Sequence, residues 1–427
     1  MKSTRAFALA GATAVAILAT GTLARAQSPE AVATAALESA PVWDGHNDVP
    51  IQLRGRFDNV LHDFDFTDTT DTADPNATDY RQRAMQTDLA RLRKGHLGAQ
   101  FWSVYVSADL QGADAVKATL EQIDVTKRLI ARYPRDLMLA TSSADVEQAM
   151  GQGRIASLMG MEGGHSIGGN LAVLRQFHAL GVRYMTLTHS RHSQWADSAS
   201  LPPQHNGLTE FGRDVVREMN RIGMLVDLSH VSDKTAMDAL EVSRAPVIFS
   251  HSGARAVNAH ERNVPDHVLD RLKENGGIVM VIALTAYVSE DVRQWDAARA
   301  GEKERLEKLF PASPDDVTAA LSRWESDNPA PEATTSQVAD HIDHIGARIG
   351  IDHIGIGGDY DGMPGGPDGM EDVSGYPALF TELARRGYSQ PDLEKIASRN
   401  MMRVLKAAES YAAAHIDDAP LESSPPQ

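Results

Sequence analysis

The segment LVDLSHVSDKTAMDALEVSRAPVIFSHS, residues 225–252, contains the unit from which the fold can be predicted. It begins with a short apolar run, Leu225 to His230, and ends with another, Pro246 to Ser252. Between these runs, Asp233 to Val242 has the apolar spacing of an amphipathic helix, and Ser232 precedes it as a helix-start residue. Two strands joined by a helix form a βαβ unit, in which both strands run in the same direction.

The same alternation of strand and helix runs through the chain. Eight apolar runs rich in β-branched residues are predicted as strands: Val42 to Asp48, Leu97 to Val106, Ile155 to Gly163, Tyr184 to Ser190, Leu225 to His230, Pro246 to Ser252, Gly277 to Leu284 and Ile354 to Asp361. Amphipathic patterns between them predict helices, among them Ala113 to Tyr133, Leu171 to Leu180, Thr209 to Ile222, Asp233 to Val242 and Asp266 to Asn275. Eight strands alternating with helices predict an α/β protein, a (β/α)8 TIM barrel.

A doubly wound open sheet is the alternative to the barrel. Nucleotide-binding sheets of that kind carry a glycine-rich phosphate loop after the first strand. No such loop follows Val42 to Asp48, so the barrel is the preferred interpretation.

Several segments do not fit the regular repeat. The Asp-, Thr- and Asn-rich stretch from Asp58 to Tyr80 lacks the spacing of an EF-hand calcium loop and is predicted to be a solvated loop over the barrel mouth. Residues 288–333 exceed a normal barrel connection and are predicted to be an insertion. Helices at Tyr376 to Arg386 and Asp392 to His415 are expected to pack on the barrel exterior. We therefore predict one barrel domain, 27–418, and a flexible tail, 419–427.

The composition is that of an ordinary globular protein, with 42% hydrophobic and 23% charged residues in a chain of 427. The formal net charge of −17 argues against a nucleic-acid partner, because phosphate binding requires clustered Lys and Arg. The sequence contains no cysteine, which excludes disulfides and a lipid-modified N-terminal cysteine.

The N-terminus resembles a secretory signal. Lys2 and Arg5 precede an apolar run from Phe7 to about Leu23, and Ala24-Arg25-Ala26 is a typical cleavage site. The alternative is a retained anchor helix, since the run approaches the roughly 20 residues that cross a bilayer. We expect cleavage after Ala26 and an exported, periplasmic or secreted, soluble protein without a stable membrane anchor.

Metal-binding residue types occur where the predicted strands end. His46 and Asp48 close the first strand and point the same way because side chains alternate along a strand. The third, fifth and sixth predicted strands deliver Glu162, His230 and His251 to the same rim of the barrel. Nitrogen and oxygen ligands without sulfur suit zinc, and manganese or iron less well. One carboxylate flanked by two ligands on each side predicts a two-metal site bridged by Glu162.

Each of these residues also has an ordinary structural interpretation. A lone histidine on a strand is more often a core or surface side chain than a ligand, and Glu162 could cap the following helix. His165, His192, His205 and His353 are assigned to that structural class. The metal site is favoured because five ligand-type residues coincide at the same ends of four strands.

Motifs along the whole chain resemble the membrane (renal-type) dipeptidase family, peptidase family M19, and indicate an exported bacterial member of it. They occur in order at Asp44 to Asp48, Gln100 to Tyr105, Glu162 to Ser166, Leu187 to Ser190, Asp227 to Ser232, Ser250 to Ser252, Arg262 to Asp266 and Gly357 to Gly362. The resemblance implies a barrel of the metal-dependent hydrolase type. It also implies two zinc ions per chain, with His46 and Asp48 on one, His230 and His251 on the other, and Glu162 between them.

The same resemblance implies roles in binding a dipeptide substrate. His189 would face the substrate carbonyl, Arg262 would hold the substrate carboxylate, and Asp359 would carry the proton. On the seventh strand, Val281-Ile282-Ala283-Leu284 departs from the polar and aromatic residues of mammalian members, and only Tyr287 keeps an aromatic partner there. Mammalian members are also disulfide-linked and lipid-anchored, so at most a noncovalent homodimer carries over.

Zinc-dependent hydrolysis of dipeptides by a hydroxide bridging the two metals is therefore the expected function. A related binuclear amidohydrolase acting on N-acyl amino acids or lactones would share the barrel and metals without needing Arg262. A non-enzymatic metal-binding protein would have no need of a proton carrier such as Asp359.

Overall fold

The computed structural model describes residues 27–73 and 83–424. The expected signal segment 1–26, residues 74–80 of the expected mouth loop and the last three residues of the expected tail lie outside the described residues. Within the described part of the chain, no helix combines the length and the apolar character needed to cross a membrane.

A closed barrel of parallel strands forms the centre of the protein, as the alternating pattern predicts. Its eight strands are β1 (Val42–Asn47), β2 (Leu97–Ser103), β4 (Ile155–Glu162), β5 (Val182–Thr186), β6 (Leu225–Asp227), β7 (Ile248–Ser252), β8 (Ile278–Val281) and β9 (Ile354–Ile356). Each pairs with the next, and β9 pairs back to β1 through Asp44 and Ile356. The predicted (β/α)8 TIM barrel is confirmed, and each of the eight predicted runs overlaps one barrel strand.

A ninth strand, β3 (Leu137–Leu139), has no counterpart among the predicted strands. It pairs with the first residues of β4, from Ile155 to Ser157, while the later residues of β4 pair with β5. The barrel closes past it, because β2 pairs directly with β4. Three residues, two of them only half-buried, give too short a pattern to be recognised as a strand.

Helices cover the outside of the barrel. They are α1 (Pro29–Ser39), α2 (Val49–Phe57), α3 (Leu89–Lys94), α4 (Gly112–Arg132), α5 (Ser143–Gly151), α6 (Leu171–Ala179), α7 (Glu210–Ile222), α8 (Asp233–Val242), α9 (Asp266–Asn275), α10 (Thr285–Val288), α11 (Glu290–Leu309), α12 (Pro314–Asp327), α13 (Thr335–Ile349), α14 (Tyr376–Arg385), α15 (Gln390–Glu394) and α16 (Asn400–Ala414). A π-helical turn, Lys395–Arg399, joins the last two.

Local sequence signals set many helix ends. The Ser232 hydroxyl accepts a hydrogen bond from the main-chain amide of Thr235 at the start of α8, and the Thr209 hydroxyl accepts one from Gly212 at the start of α7. Gly223 ends α7 in the left-handed conformation, with φ of 77°. The predicted boundaries of these two helices follow from these residues.

The barrel interior leaves no room for a side chain at position 160. A Cβ atom on Gly160 of β4 would lie 1.9 Å from Cζ of Tyr184, whose ring fills the space inside β5. Phe101 of β2 packs against this ring, with 4.9 Å between the ring centroids. The absence of a side chain at residue 160 thus allows a large aromatic ring to lie directly below the barrel mouth.

Helices α10, α11 and α12 occupy the segment between β8 and α13. Between α11 and α12 lies a small apolar cluster of Leu306, Val317 and Leu321, separate from the main core.

At the other end of the chain, the main-chain amide of Leu421 donates a hydrogen bond to the buried carboxylate of Glu218 on α7.

A buried histidine on α13, His341, joins helix α10 to the loop that follows β7. Nδ1 of His341 on α13 accepts a hydrogen bond from the Ala254 amide, 2.8 Å away, and its Nε2 donates one to the Val288 carbonyl, 3.2 Å away. Burial lowers the pKa of His341 to about 4. The imidazole is therefore neutral in the folded protein throughout the physiological pH range.

We expect His341 to make the protein less stable as the pH falls from about 6.5 to about 4. In this window the unfolded chain binds a proton on His341 that the folded protein does not, so protonation favours unfolding. The shift corresponds to up to about 3 kcal/mol, at about 1.4 kcal/mol per pKa unit. His341→Gln should remove this part of the pH dependence, measured by urea unfolding of metal-free protein at pH 7 and pH 5.

The exposed His62 provides the matched control, and His62→Gln should leave the pH dependence as it is in the wild type. An unchanged difference between pH 7 and pH 5 in His341→Gln would contradict the role given to His341.

Candidate metal centre

Five ligand-type side chains from four strand ends meet at the barrel mouth. His46 lies on β1, Asp48 directly follows β1, Glu162 is the last residue of β4, and His251 lies on β7. His230 follows β6 by three residues. Asp48, Glu162 and His251 are each at most 5% exposed, so any charge at this site is largely shielded from water.

The carboxylate of Glu162 lies between two groups of ligand-type atoms. Its Oε2 is 3.5 Å from Nε2 of His46, which in turn is 3.4 Å from Oδ2 of Asp48. Its Oε1 is 2.9 Å from Nε2 of His230 and 3.4 Å from Nε2 of His251. One oxygen therefore faces each pair, which is the arrangement of a bridging carboxylate.

Several atoms at this site suit a metal better than they suit each other. Nε2 of His230 and Nε2 of His251 are 3.0 Å apart, and they lie 2.9 Å and 3.4 Å from the same oxygen, Oε1 of Glu162. Within the described residues, Nε2 of His46 and Oδ1 of Asp48 are buried and make no hydrogen bond of normal geometry. Three sets of ligand atoms lie within 4.8 Å of one another: His46, Glu162 and His251; Glu162, His189 and His230; and His46, Asp48 and Asp359. The residues present therefore fit a metal centre.

Hydroxyl groups hold two of the imidazole rings from behind. Nδ1 of His46 is 2.8 Å from the Tyr184 hydroxyl, and Nδ1 of His251 is 2.8 Å from the Ser250 hydroxyl. In both rings Nε2 is left facing the centre. Metal-bound histidines are commonly oriented in this way by a partner on the other ring nitrogen.

The electrostatics favour the ligand forms of Glu162, His230 and His251. Burial opposes ionisation of Glu162, yet the charges of His46 and His189 and close contacts with His230 and His251 hold its pKa well below the usual range. Burial lowers the pKa of both His230 and His251 well below the usual value. An ionised carboxylate and two neutral imidazoles are the states that bind a cation.

Two residues at the mouth, His230 and Asp359, have unusual backbone geometry. His230 and Asp359 adopt positive φ angles of 67° and 64°. Residues other than glycine rarely adopt this conformation, and they retain it where the surrounding structure enforces it. Burial, together with the carboxylates of Asp48 and Glu162, raises the pKa of Asp359 well above its usual value.

A cavity of about 740 Å³ opens from the ligand cluster to solvent. Its lining includes Asp48, Glu162, His189, His230, His251, Arg262, Tyr287 and Asp359, while His46 lies behind them. The structure thus brings all the sequence-predicted site residues to one place.

Arg262 is the most unusual residue of this cavity. It is only 4% exposed, and within the part of the chain that the structure describes its three guanidinium nitrogens have no hydrogen-bond partner. Its guanidinium carbon lies 5.7 Å from the ring centroid of Tyr287. A buried, unpaired guanidinium is costly unless a ligand supplies the anion.

His189 reaches the cavity from the loop after β5. Its Nε2 is 3.7 Å from Oε1 of Glu162, and its ring lies 4.6 Å from the ring of Tyr105, measured between centroids. Nδ1 of His189 is 3.1 Å from the Ser190 hydroxyl. Its Nε2 is therefore the nitrogen directed at the metal ligands.

The four histidines assigned to the structural class are not among the cavity-lining residues. Three have main-chain partners: Nε2 of His192 contacts the Pro202 carbonyl, Nε2 of His205 the Ser193 carbonyl, and Nδ1 of His353 the Gly277 carbonyl. The fourth, His165, is buried beside Gly163.

Residues that support the centre from behind were not identified from the sequence as functional. They include Tyr184, Ser250 and two buried aspartates, Asp44 and Asp227. The aspartates stand two and three residues before His46 and His230, and this spacing could have indicated them. Tyr184 gives no such signal, because its contact with His46 joins residues far apart in sequence.

Comparison with known proteins relates the chain to one family model and to two dipeptidases. A family model described as membrane dipeptidase, peptidase family M19, matches residues 30–417. Dipeptidase tcpJ of Claviceps purpurea is 42% identical over 394 residues, covering 90% of this chain and 81% of the relative. Dipeptidase 3 of Rattus norvegicus is 42% identical over 395 residues, covering 91% of this chain and 70% of the relative.

A solved structure is similar over most of its length. It is a metallopeptidase from Rhodobacter sphaeroides bound to a phosphinate mimic of the dipeptide L-Ala-D-Ala. It is 25% identical, with a TM-score of 0.68, and the alignment covers 86% of this chain and 99% of that one.

Glu162→Gln should weaken metal binding by more than the roughly 10–100-fold that follows loss of an outer partner of a ligand. The amide keeps the size of the side chain but removes the negative charge that faces both groups of ligand atoms. Metal content after dialysis against limiting metal, measured by mass spectrometry, provides the test.

Glu218→Gln is the matched control, because Glu218 is also buried but pairs with Arg175 and Arg221 on the barrel exterior. This change should lower stability and leave metal content unchanged. Wild-type metal content in Glu162→Gln would contradict the central position assigned to Glu162.

Proposed function

The chain belongs to the membrane dipeptidase family, peptidase family M19, and on that basis we propose that it is a metal-dependent dipeptidase. The observation that carries the proposal is the buried, unpaired Arg262 in the same cavity as the ligand cluster. A cation at a fixed distance from a hydrolytic centre selects substrates that carry a free carboxylate near the cleaved bond. Dipeptides meet this requirement, and the phosphinate ligand of the similar metallopeptidase mimics a dipeptide.

We propose zinc as the native metal, with two ions per chain. His46 and Asp48 would hold one, His230 and His251 the other, and Glu162 would bridge them. This set contains only nitrogen and oxygen donors, and the chain has no cysteine to supply sulfur. When bound, such ions make a water molecule more acidic and polarise a carbonyl group.

Arg262 orients the substrate in this proposal. Its planar guanidinium can hold the C-terminal carboxylate through two parallel hydrogen bonds. The face of Tyr287 lies beside the guanidinium and limits the directions in which it can turn. The peptide bond next to the carboxylate is then the bond that reaches the ligand cluster.

His189 assists at the carbonyl oxygen. Its Nε2 faces the cavity within 3.7 Å of Glu162. An N–H at this position can donate a hydrogen bond to the oxygen of the peptide carbonyl, which becomes more negative as water attacks.

Asp359 carries the proton to the leaving amine. Its main-chain amide donates to the His46 carbonyl, 3.1 Å away, and its carboxylate belongs to the same cluster as Asp48. Water releases a proton when it attacks, and an amine leaves only when it gains one. A carboxylate within reach of both can move that proton.

Export belongs to the same proposal. Residues 1–26 would direct the chain to the periplasm or outside the cell and be removed after Ala26, leaving the barrel domain of residues 27–418, which would contain the insertion at about 288–333. A noncovalent homodimer is proposed from the family resemblance alone.

The test of the dipeptidase assignment is a panel of dipeptides, C-terminally amidated dipeptides and N-acyl amino acids, with a chelator and with added zinc. The wild type should cleave free dipeptides, lose this activity with the chelator and regain it with zinc. Arg262→Ala should lower kcat/KM for free dipeptides by roughly 10–100-fold, since hydrogen bonds to charged groups contribute about 1.5–3 kcal/mol. Amidated dipeptides, which lack the carboxylate, should be affected much less.

Arg255→Ala is the control, because Arg255 lies on the same loop but pairs with Asp233. Equal losses on free and amidated dipeptides would assign Arg262 a structural role. Cleavage of N-acyl amino acids in preference to dipeptides would contradict the dipeptidase assignment.

Asp359→Asn should lower kcat by roughly 10²–10⁴-fold, the usual scale of general acid–base catalysis, while metal content stays at the wild-type level. The amide preserves the size of the side chain but cannot carry the proton. Steady-state kinetics and metal analysis of the same preparation measure both quantities.

Asp361→Asn is the matched control two residues away. Its Oδ1 accepts a hydrogen bond from the Gln86 amide, 2.8 Å away, which an asparagine oxygen can also accept. This variant should lose much less activity. Near-normal turnover in Asp359→Asn, or loss of metal together with activity, would remove Asp359 from the role of proton carrier.

A further inference from the structure

The side of His251 that faces away from the cavity contacts a short hydrogen-bonded relay. Nδ1 of His251 is 2.8 Å from the Ser250 hydroxyl, and that hydroxyl is 2.7 Å from Oδ2 of Asp227. All three residues are at most 1% exposed. The relay is therefore shielded from water, which could otherwise compete for these hydrogen bonds.

Asp227 can only accept hydrogen bonds at this position. Its Oδ1 accepts the main-chain amides of Ser229 and Ser250, at 3.1 Å and 2.9 Å. Its Oδ2 accepts two hydroxyls, those of Thr186 at 2.5 Å and Ser250 at 2.7 Å. With donors on both oxygens, the carboxylate acts as the acceptor in its contact with Ser250.

The direction of the relay follows from this. The Ser250 hydroxyl has one proton, and the nearest acceptor for it is the charged oxygen of Asp227 at 2.7 Å rather than the Ser229 hydroxyl at 3.4 Å. Once its proton points to Asp227, the Ser250 oxygen can only accept from His251. Nδ1 of His251 must then carry the N–H, and Nε2 keeps its lone pair.

The other two imidazoles have no such relay. Nδ1 of His46 contacts the phenol of Tyr184, which can either donate or accept. Nδ1 of His230 is buried and has no hydrogen-bond partner within the ranges 27–73 and 83–424. Among these three histidines, His251 alone has its Nδ1 linked through a hydroxyl group to a carboxylate.

We propose that Asp227 is a positioning residue that acts through Ser250 to keep His251 in the tautomer whose Nε2 can bind a metal. The inference rests on the proposed function in so far as His251 is a ligand there. It adds that the chain prepares this nitrogen before metal arrives, and that the preparation comes from a residue on β6, the strand next to β7.

The substitution Asp227→Asn tests the direction of the relay. The two main-chain amides require an oxygen at the Oδ1 position, so the amide NH2 of the asparagine takes the place of Oδ2. It then donates to Ser250, whose own proton turns to Nδ1 of His251. The expected result is an inverted tautomer, with the proton on Nε2.

The measurement is nitrogen-15 NMR of metal-free protein labelled at histidine, with His251 assigned through a His251→Gln variant. The wild type should show a protonated Nδ1 and a bare Nε2 at His251, and Asp227→Asn should show the reverse. Zinc affinity of Asp227→Asn should fall by roughly 10–100-fold, the usual effect of losing an outer partner of a ligand.

Thr186→Val is the matched control, because it removes the other hydroxyl from the same Oδ2 and leaves the relay intact. It should keep the wild-type tautomer and zinc affinity, whereas a merely structural role of Asp227 predicts equal effects of both changes. If Asp227→Asn does not fold, Ser250→Ala replaces it and should show a mixture of tautomers.

A protonated Nδ1 at His251 in Asp227→Asn, or an unchanged tautomer in Ser250→Ala, would overturn the proposal. The spectra are recorded without metal or substrate, so they do not depend on hydrolysis. Failure of the chain to cleave dipeptides would contradict the proposed function but would not change the tautomer measured for His251.

Discussion

The buried carboxylate of Glu162 is the constraint on which the rest of the site depends. A charge removed from water is unfavourable unless opposite charges or hydrogen-bond donors surround it. Here histidines from β1, β7 and the end of β6 converge on its two oxygens. Strand β1 is far from β6 and β7 in sequence, and the closed barrel brings the ends of all three together around one point. The barrel provides the geometry, and the charge of Glu162 gives the imidazoles a common partner.

Two buried aspartates behind the ligands, Asp44 and Asp227, are likewise surrounded by hydrogen-bond donors. Asp44 accepts hydrogen bonds from the main-chain amides of His46 and Gly358 and from the Tyr376 hydroxyl. Asp227 likewise accepts from neighbouring main-chain amides and hydroxyls. Each aspartate thus ties together the ends of adjacent strands that carry site residues. A side chain that joins two strands at their ends fixes the distances between their ligands more closely than loops could.

The sequence predicted the barrel and the positions around its mouth because both depend on local patterns. Strand runs such as Ile155 to Gly163 are apolar and short, and alternation places His46 and Asp48 on one side of their strand. Residues whose role depends on distant partners could not be predicted in this way. The contact of His341 with Ala254 spans 87 positions, and that of Tyr184 with His46 spans 138. Strand β3 was missed for a different reason, since three residues are too few to show a period.

Helices α11 and α12 bury much less apolar surface than the barrel does. Their own cluster of Leu306, Val317 and Leu321 is separate from the main core, and most of their remaining residues are exposed. A unit with so few buried apolar contacts opens at a lower free energy than the whole domain. Amide hydrogens of these two helices would therefore exchange with solvent deuterium well before those of β4 or β7. Because α10, which carries Tyr287, directly precedes α11, the wall of the cavity beside Arg262 borders on helices that open more readily than the barrel.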